Sequence, residues 1–133
     1  MEDSVNYTRV KEYTKALLKS VAQTSFAVSK NAITRETAKS MQESAAKKIV
    51  RKLGIGVVFE LVLPAYLKSI YETSTSDRKI TIVKSQGKEE ESRETIALYT
   101  YGVDNFFRSR WPDAWKAVRE AEEKRRRNAR KNV

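Results

Sequence analysis

Val10-Lys-Glu-Tyr-Thr-Lys-Ala-Leu-Leu-Lys-Ser-Val21, followed by Thr34-Arg-Glu-Thr-Ala-Lys-Ser-Met-Gln-Glu-Ser-Ala-Ala-Lys-Lys-Ile-Val-Arg-Lys-Leu-Gly54, decides the fold class. In the first stretch Val10, Tyr13, Leu17 and Val21 fall three or four residues apart, so they share one face of a helix. Lys15 and Lys19 fall on roughly the opposite face, with Lys11 on the flank. In the second stretch Thr34 is an N-cap candidate, and Glu36 sits in the first turn, where the helix dipole favours a carboxylate. Ala38, Met41, Ala45 and Ile49 make a narrow stripe of small residues, with Lys47 and Arg51 on the other side, and Gly54 and Gly56 end the helix. Ala at these positions reflects either helix propensity or a need for close approach to another backbone or a sugar–phosphate surface. Gln23–Asn31, rich in Ser, Thr, Ala and Asn, reads as the turn between the two helices.

Downstream, Val57–Tyr71 is apolar nearly all round, which suits a buried helix kinked at Pro64, or a buried strand followed by a helix. Its length and the run Ala65-Tyr-Leu-Lys-Ser-Ile-Tyr71 favour helix. Thr73–Lys88 has the least helical composition, and its β-branched run Ile80–Val83 predicts a short β-hairpin around 78–86. Ser92 is a candidate cap for a further helix with Ile96, Tyr99, Val103, Phe106 and Phe107 on its apolar face, and Gly102 marks tight packing against a neighbour. Pro112 fits the first turn of a last helix, with Asp113 beside it and Trp115 and Val118 inward. Glu120–Lys124, Glu122–Arg126 and Glu123–Arg127 are i, i+4 pairs, and the chain ends on the basic run Lys124–Lys131. The predicted class is mainly α. An extended helix-turn-helix arm over residues 1–53 precedes a compact C-terminal helical packing domain over 54–133.

The charge pattern carries the functional reading. The 133 residues hold 27 Lys and Arg against 17 Asp and Glu, a formal net charge of +10. The candidate site residues are Arg9, Lys11, Lys15, Lys19, Lys30, Arg35, Lys39, Lys47, Lys48, Arg51 and Lys52. Cations repeated along two long helices suit an extended polyanion better than a small ligand, the alternative being a solvated helix face. Two long cationic helices also differ from a regulator, whose single recognition helix would gather base-reading Arg, Asn or Gln side chains. Exposed aromatics among basic residues, expected of RNA modules, are few in the arm: Tyr7, Tyr13 and Phe26.

Other chemistries are narrowed by composition. Without cysteine there is no disulfide, thiolate metal site or cysteine nucleophile, and without histidine the usual general base and commonest metal ligand are missing. Gly54-Ile-Gly56 lacks the Lys-Ser/Thr of a phosphate-binding loop. No secretory leader is expected, and the Ile55–Tyr71 stretch is interrupted by Glu60, Pro64 and Lys68. Neither a cofactor nor a small-molecule substrate is expected, and the protein is not expected to be an enzyme.

Two resemblances refine this. Gly56-Val-Val-Phe-Glu-Leu-Val-Leu63, Ile80-Thr-Ile-Val-Lys-Ser85 and Ile96-Ala-Leu-Tyr-Thr-Tyr101 resemble, over about a third of the chain, the core order of RecB-type PD-(D/E)xK nucleases, including the CRISPR-adaptation exonucleases. Lys84 and Tyr99 match that family's lysine and tyrosine. Ile82 stands in place of its metal-binding Glu, Thr95 in place of its Gln, and the iron–sulphur cysteines are missing. The resemblance therefore implies a catalytically dead relative, since paired carboxylates are needed for Mg²⁺ to activate water. By architecture, a basic helix-turn-helix arm followed by a compact helical domain, the whole chain resembles the major coat proteins of filamentous archaeal viruses of the rudivirus, lipothrixvirus and tristromavirus groups. That resemblance implies a virion protein assembled in the host cytoplasm, which pairs with a homologous second coat protein or with itself. It also implies arms wrapped around linear double-stranded DNA held in the A form, and neighbouring subunits packed into a helical nucleocapsid. A nucleoid-type or regulatory DNA-binding protein is the alternative.

Overall fold

Asn6 starts the first helix by accepting a hydrogen bond from the Arg9 amide at 3.2 Å. In the computed structural model, which describes residues 6–73, 79–86 and 90–131, α1 then runs from Tyr7 to Ser29. It passes straight through the Gln23–Ser29 segment expected to be a turn. The polar residues there have local partners: the Thr24 hydroxyl donates to Ser20 O at 2.8 Å, and Ser25 bonds across to the backbone of Tyr99. The stop falls at Asn31, whose φ of 60° places it in the left-handed region that Asn tolerates. Asn31 N donates to Val28 O at 3.0 Å and Ala32 N to Ala27 O at 2.8 Å, the paired closure of a Schellman motif.

Thr34 caps α2 (Arg35–Leu53) as expected, its hydroxyl accepting from Thr37 N at 3.1 Å. Gly54, at φ 87°, ends it. There the chain bends by 114°. α3 (Ile55–Val57), a π-helical turn (Val58–Val62) and α4 (Leu63–Thr73) then follow one another directly. Pro64 explains the wide turn before it. Its ring would press on the Glu60 carbonyl of an α-helix, and Leu63 N instead reaches back five residues to Val58 O.

β1 (Lys79–Gln86) pairs antiparallel with β2 (Glu90–Ala97), in register from Lys79 opposite Ala97 to Gln86 opposite Glu90. The hairpin thus reaches beyond the expected 78–86, and Ser92 lies in a strand rather than capping a helix. Ile96 is buried from the end of β2, so its spacing to Tyr99 and Val103 is not one helix face. The last two helices, α5 (Tyr101–Arg110) and α6 (Pro112–Lys131), complete a mainly α fold.

One core unites these elements. Val10, Leu17 and Val21 of α1 and Ala46 and Ile49 of α2 belong to the same buried cluster as Val58, Val62, Leu63 and Tyr66, Val103 and Phe107 of α5, and Trp115 of α6. Phe107 is its aromatic centre, edge-on to Phe59 at 5.6 Å and to Phe106 at 5.0 Å, and stacked on Trp115 at 6.1 Å. The described residues of the predicted 1–53 arm therefore share one core with those of the predicted 54–133 domain in the single chain. Each helix of the hairpin carries an apolar stripe that must be covered, and the downstream helices cover it. The stripe on α2 is also rotated from the expected one. Ala38, Gln42, Ala46 and Ile49 are buried, while Met41 is exposed.

Gln42 is the unexpected core residue. Fully buried, it donates from Nε2 to Thr24 Oγ1 at 2.9 Å and to Tyr99 O at 2.8 Å. Its Oε1 accepts from Gly102 N at 3.0 Å and Val103 N at 3.3 Å. One side chain thereby ties α1, α2 and the start of α5 together, satisfying amides that the first turn of α5 would leave unpaired. The close approach requires Gly102, where an added Cβ would meet Gln42 Cβ and lie 2.5 Å from Lys39 O.

On α6 the ion pairs differ from the expected i, i+4 set. Arg125 grips the nearly buried Glu122 through Nε at 3.0 and 3.1 Å, Arg119 pairs with Glu123 at 3.7 Å, and Arg126 lies over the Tyr71 ring at 4.7 Å. Beneath, Tyr66 Oη and Arg119 Nε are buried without a hydrogen-bond partner among the described residues. They line a cavity of about 20 Å³ together with Thr100 and Asp104, roughly one water in size.

Candidate nucleic-acid interface

Burial of the inner stripes dictates where the cations go. With Val10, Leu17 and Val21 turned inward, the 3.6-residue period turns Lys11, Lys15 and Lys19 outward, and all three are exposed. Lys11, Lys15 and Lys19 follow at four-residue intervals, about 6 Å apart along the axis. On α2, Lys47, Lys48, Arg51 and Lys52 are exposed along the C-terminal half. Arg9 is exposed and lies over the Tyr13 ring at 5.7 Å, and Lys30 is exposed at the turn, 5.5 Å from the Phe26 ring. Arg35 is exposed and Lys39 half-buried. The eleven predicted residues thus form three groups rather than one stripe: the outer face of α1, the turn with the start of α2, and the C-terminal half of α2. Within the described part of the hairpin they face only Glu12, Glu36 and Glu43. The α6 run adds Lys124, Arg125 and Arg127, all exposed, while the side chains of Arg130 and Lys131 lie outside the described residues.

The second group opens onto a cleft of about 600 Å³ between the helical hairpin and the β2–α5 junction. Arg35, Glu36 and Lys39 of α2 line one side, Ser25 and Ser29 of α1 another, and Tyr99, Tyr101 and Asn105 the third. Tyr99 is held from both ends. Its amide donates to Ser25 Oγ at 3.0 Å, its carbonyl accepts from Gln42 at 2.8 Å, and its hydroxyl donates to Arg35 O at 3.1 Å. Desolvation raises the Tyr99 phenol above its usual pKa, the Glu36 carboxylate pushing the same way and Arg35 opposing it, so the hydroxyl keeps the proton it donates. The Tyr101 ring sits 5.3 Å from that of Tyr99, tilted by 51°, and is 60% exposed. The charge pattern alone pointed to Arg35 and Lys39. It did not point to the tyrosines, because Tyr99 reads as part of an apolar helix face until the strand beneath it is known.

The segment Gly56–Leu63 is helical, not the strand a RecB-type core requires, and Glu60 is exposed on it. The described sheet has only two strands, β1 and β2. Among the described residues no three Asp or Glu side chains are grouped to hold a metal ion. No single described helix is long and apolar enough to cross a membrane. No protein-family model matches the sequence, no curated protein is similar to it, and no solved structure matches the fold.

Proposed function

We propose that this is a structural, sequence-independent double-stranded DNA-binding protein that works by coating its polymer. The observation that carries the reading is the division of faces on the N-terminal hairpin: inner stripes in the core, cations outside, ten of the eleven exposed. α1 has 23 residues and α2 has 19. At 1.5 Å per residue that gives rods of about 34 and 28 Å, the first close to the roughly 34–36 Å of one duplex turn and the second somewhat shorter. Lysines so spaced contact phosphates and position the protein without reading bases. The contact is made by the outer face of a hairpin already folded into the body, so a copy needs no unfolding to bind.

Packing of such copies side by side, with a homologous partner or with themselves, would make the helical nucleocapsid that the coat-protein resemblance implies. A nucleoid-type protein is the second reading, favoured by the hairpin's incorporation into the core, which removes the need for a free wrapping arm. The test is fluorescence anisotropy on unrelated duplex sequences across a salt series, followed by electron microscopy of the complexes. Affinity should be nearly indifferent to sequence, with log K falling by about 0.9 per log salt for each phosphate neutralised. Filaments of regular pitch identify a coat protein and irregular compaction a nucleoid-type one. A flat salt response refutes both.

A further inference from the structure

We infer that the cleft between the helical hairpin and the β2–α5 junction is a separate site for an unpaired nucleotide. The base would stack on Tyr101 and the phosphate would sit against Arg35 and Lys39. The inference deepens the reading above, since both concern nucleic acid; it takes Arg35 and Lys39 from the same eleven cations but adds the aromatic wall of Tyr99 and Tyr101, which the duplex reading does not use. Three features of the cleft fit together. Its volume of about 600 Å³ exceeds what a bare phosphate or sulfate would fill. Its walls combine a cationic side, Arg35 and Lys39, with an aromatic side, Tyr99 and Tyr101, and each matches one half of a nucleotide. Glu36 and Asn105 add an acceptor and an amide within the same walls, suited to the polar edge of a base rather than to a second phosphate.

The aromatic wall is also preorganised. The buried Gln42 and Ser25 fix the backbone of Tyr99, and the Tyr99 hydroxyl is anchored on Arg35 O. Tyr101, next but one, therefore presents its exposed ring from a rigid platform. Exposure of a large aromatic beside two cations is the arrangement by which single strands are held. A base inside a duplex has its faces covered, so the ligand is a strand end, a gap or an unpaired stretch.

The experiment measures binding of the full chain to a fluorescent oligothymidylate and to a blunt duplex. It compares the unaltered protein with Tyr101→Ala, Tyr101→Phe and a Lys11→Glu/Lys15→Glu/Lys19→Glu variant. Tyr101 is largely exposed, so both substitutions leave the fold intact. The expected result is a loss of about 5- to 150-fold in oligothymidylate affinity for Tyr101→Ala. Tyr101→Phe, which keeps the ring, should bind like the unaltered protein, and duplex affinity should be the same for all three. The triple lysine variant should bind duplex more weakly and keep most of its oligothymidylate binding. Oligothymidylate binding by Tyr101→Ala equal to that of the unaltered protein, or loss by Tyr101→Phe as large as by Tyr101→Ala, overturns the site. So does an unaltered protein that binds duplex but not the oligomer, an outcome that leaves the coat reading standing. Binding of the oligomer without the duplex does the reverse.

Discussion

Replacing Gln42 with leucine should destabilise the protein by about 3 kcal/mol, although leucine is of similar size and more apolar. The side chain is fully buried and makes four hydrogen bonds. Two of its partners keep a second bond: Thr24 Oγ1 still donates to Ser20 O, and Tyr99 O still accepts from Ser25. The Gly102 and Val103 amides, in the buried first turn of α5, lose the acceptor shown for them. Each orphaned amide costs roughly 1–3 kcal/mol. The extra apolar surface of leucine returns about 1–2 kcal/mol, which leaves the net near 3. Against a total stability of about 5–15 kcal/mol, that is a large fraction, equivalent to a fall in Tm of roughly 9–15 °C.

Urea denaturation followed by far-UV circular dichroism would measure it. A Gln42→Glu variant separates donor from acceptor. Its carboxylate can still accept from the two amides but, when ionised, faces Tyr99 O without a proton. Its folded pKa should therefore rise above the unfolded one. Its deficit relative to the unaltered protein should be smallest below the unfolded value of about 4.3, grow as pH rises from there to the folded one, and level off above it. A cost under about 1 kcal/mol for Gln42→Leu would refute the idea that this amide joins α5 to the hairpin.

Gly102→Ala should cost about 1–3 kcal/mol by forcing α2 and α5 apart at Gln42 and Lys39 O, read as a lower urea midpoint. Tyr66→Phe should be neutral within about 1 kcal/mol at pH 7, because the hydroxyl it removes has no hydrogen-bond partner among the described residues. Burial raises the Tyr66 phenol well above its ordinary value, with Asp104 adding to the effect. Its contribution is thus complete below about pH 10 and is lost as pH rises through the folded pKa. Tyr66→Phe should accordingly resist alkaline unfolding better than the unaltered protein, as followed by circular dichroism between pH 9 and 12. Changing Lys11, Lys15 and Lys19 to Glu should leave thermal stability nearly unchanged but flatten the duplex salt slope by about 2.7, three phosphates' worth. A fragment of residues 54–133 should not fold by itself, because it loses Val10, Leu17, Val21, Ala46 and Ile49 from the shared core. A cooperative melt of that fragment would restore the two-part division.

The helices of the hairpin, the Thr34 cap, the Gly54 stop, the Pro112 start and the tight packing at Gly102 were all legible in the sequence. Each rests on a residue whose local chemistry is the same in any context. The α1 stop was misplaced because Thr24 and Ser25 look like turn residues until their hydroxyls find Ser20 O and Tyr99. Ser92–Ala97 was misjudged as helix because Ile96, Tyr99 and Val103 happen to fall at helical spacing. Pairing with β1 decides otherwise, and no window along the chain contains that partner. Among the site residues, the exposed cations were readable because a charged side chain opposite an apolar stripe has only solvent to face. Tyr99 and Tyr101 were not, since their cleft is assembled from three separated segments.

By itself, then, the sequence determined the mainly α class, the identity of the amphipathic helices and the outward direction of their lysines, because periodicity and charge act within one helical turn. The tertiary structure alone decided that the hairpin belongs to a single core, that a buried glutamine joins it to α5, and that two cations and two tyrosines meet around one cleft. Those outcomes depend on which apolar face covers which, and on where unpaired amides find acceptors, and both are settled only when distant segments pack.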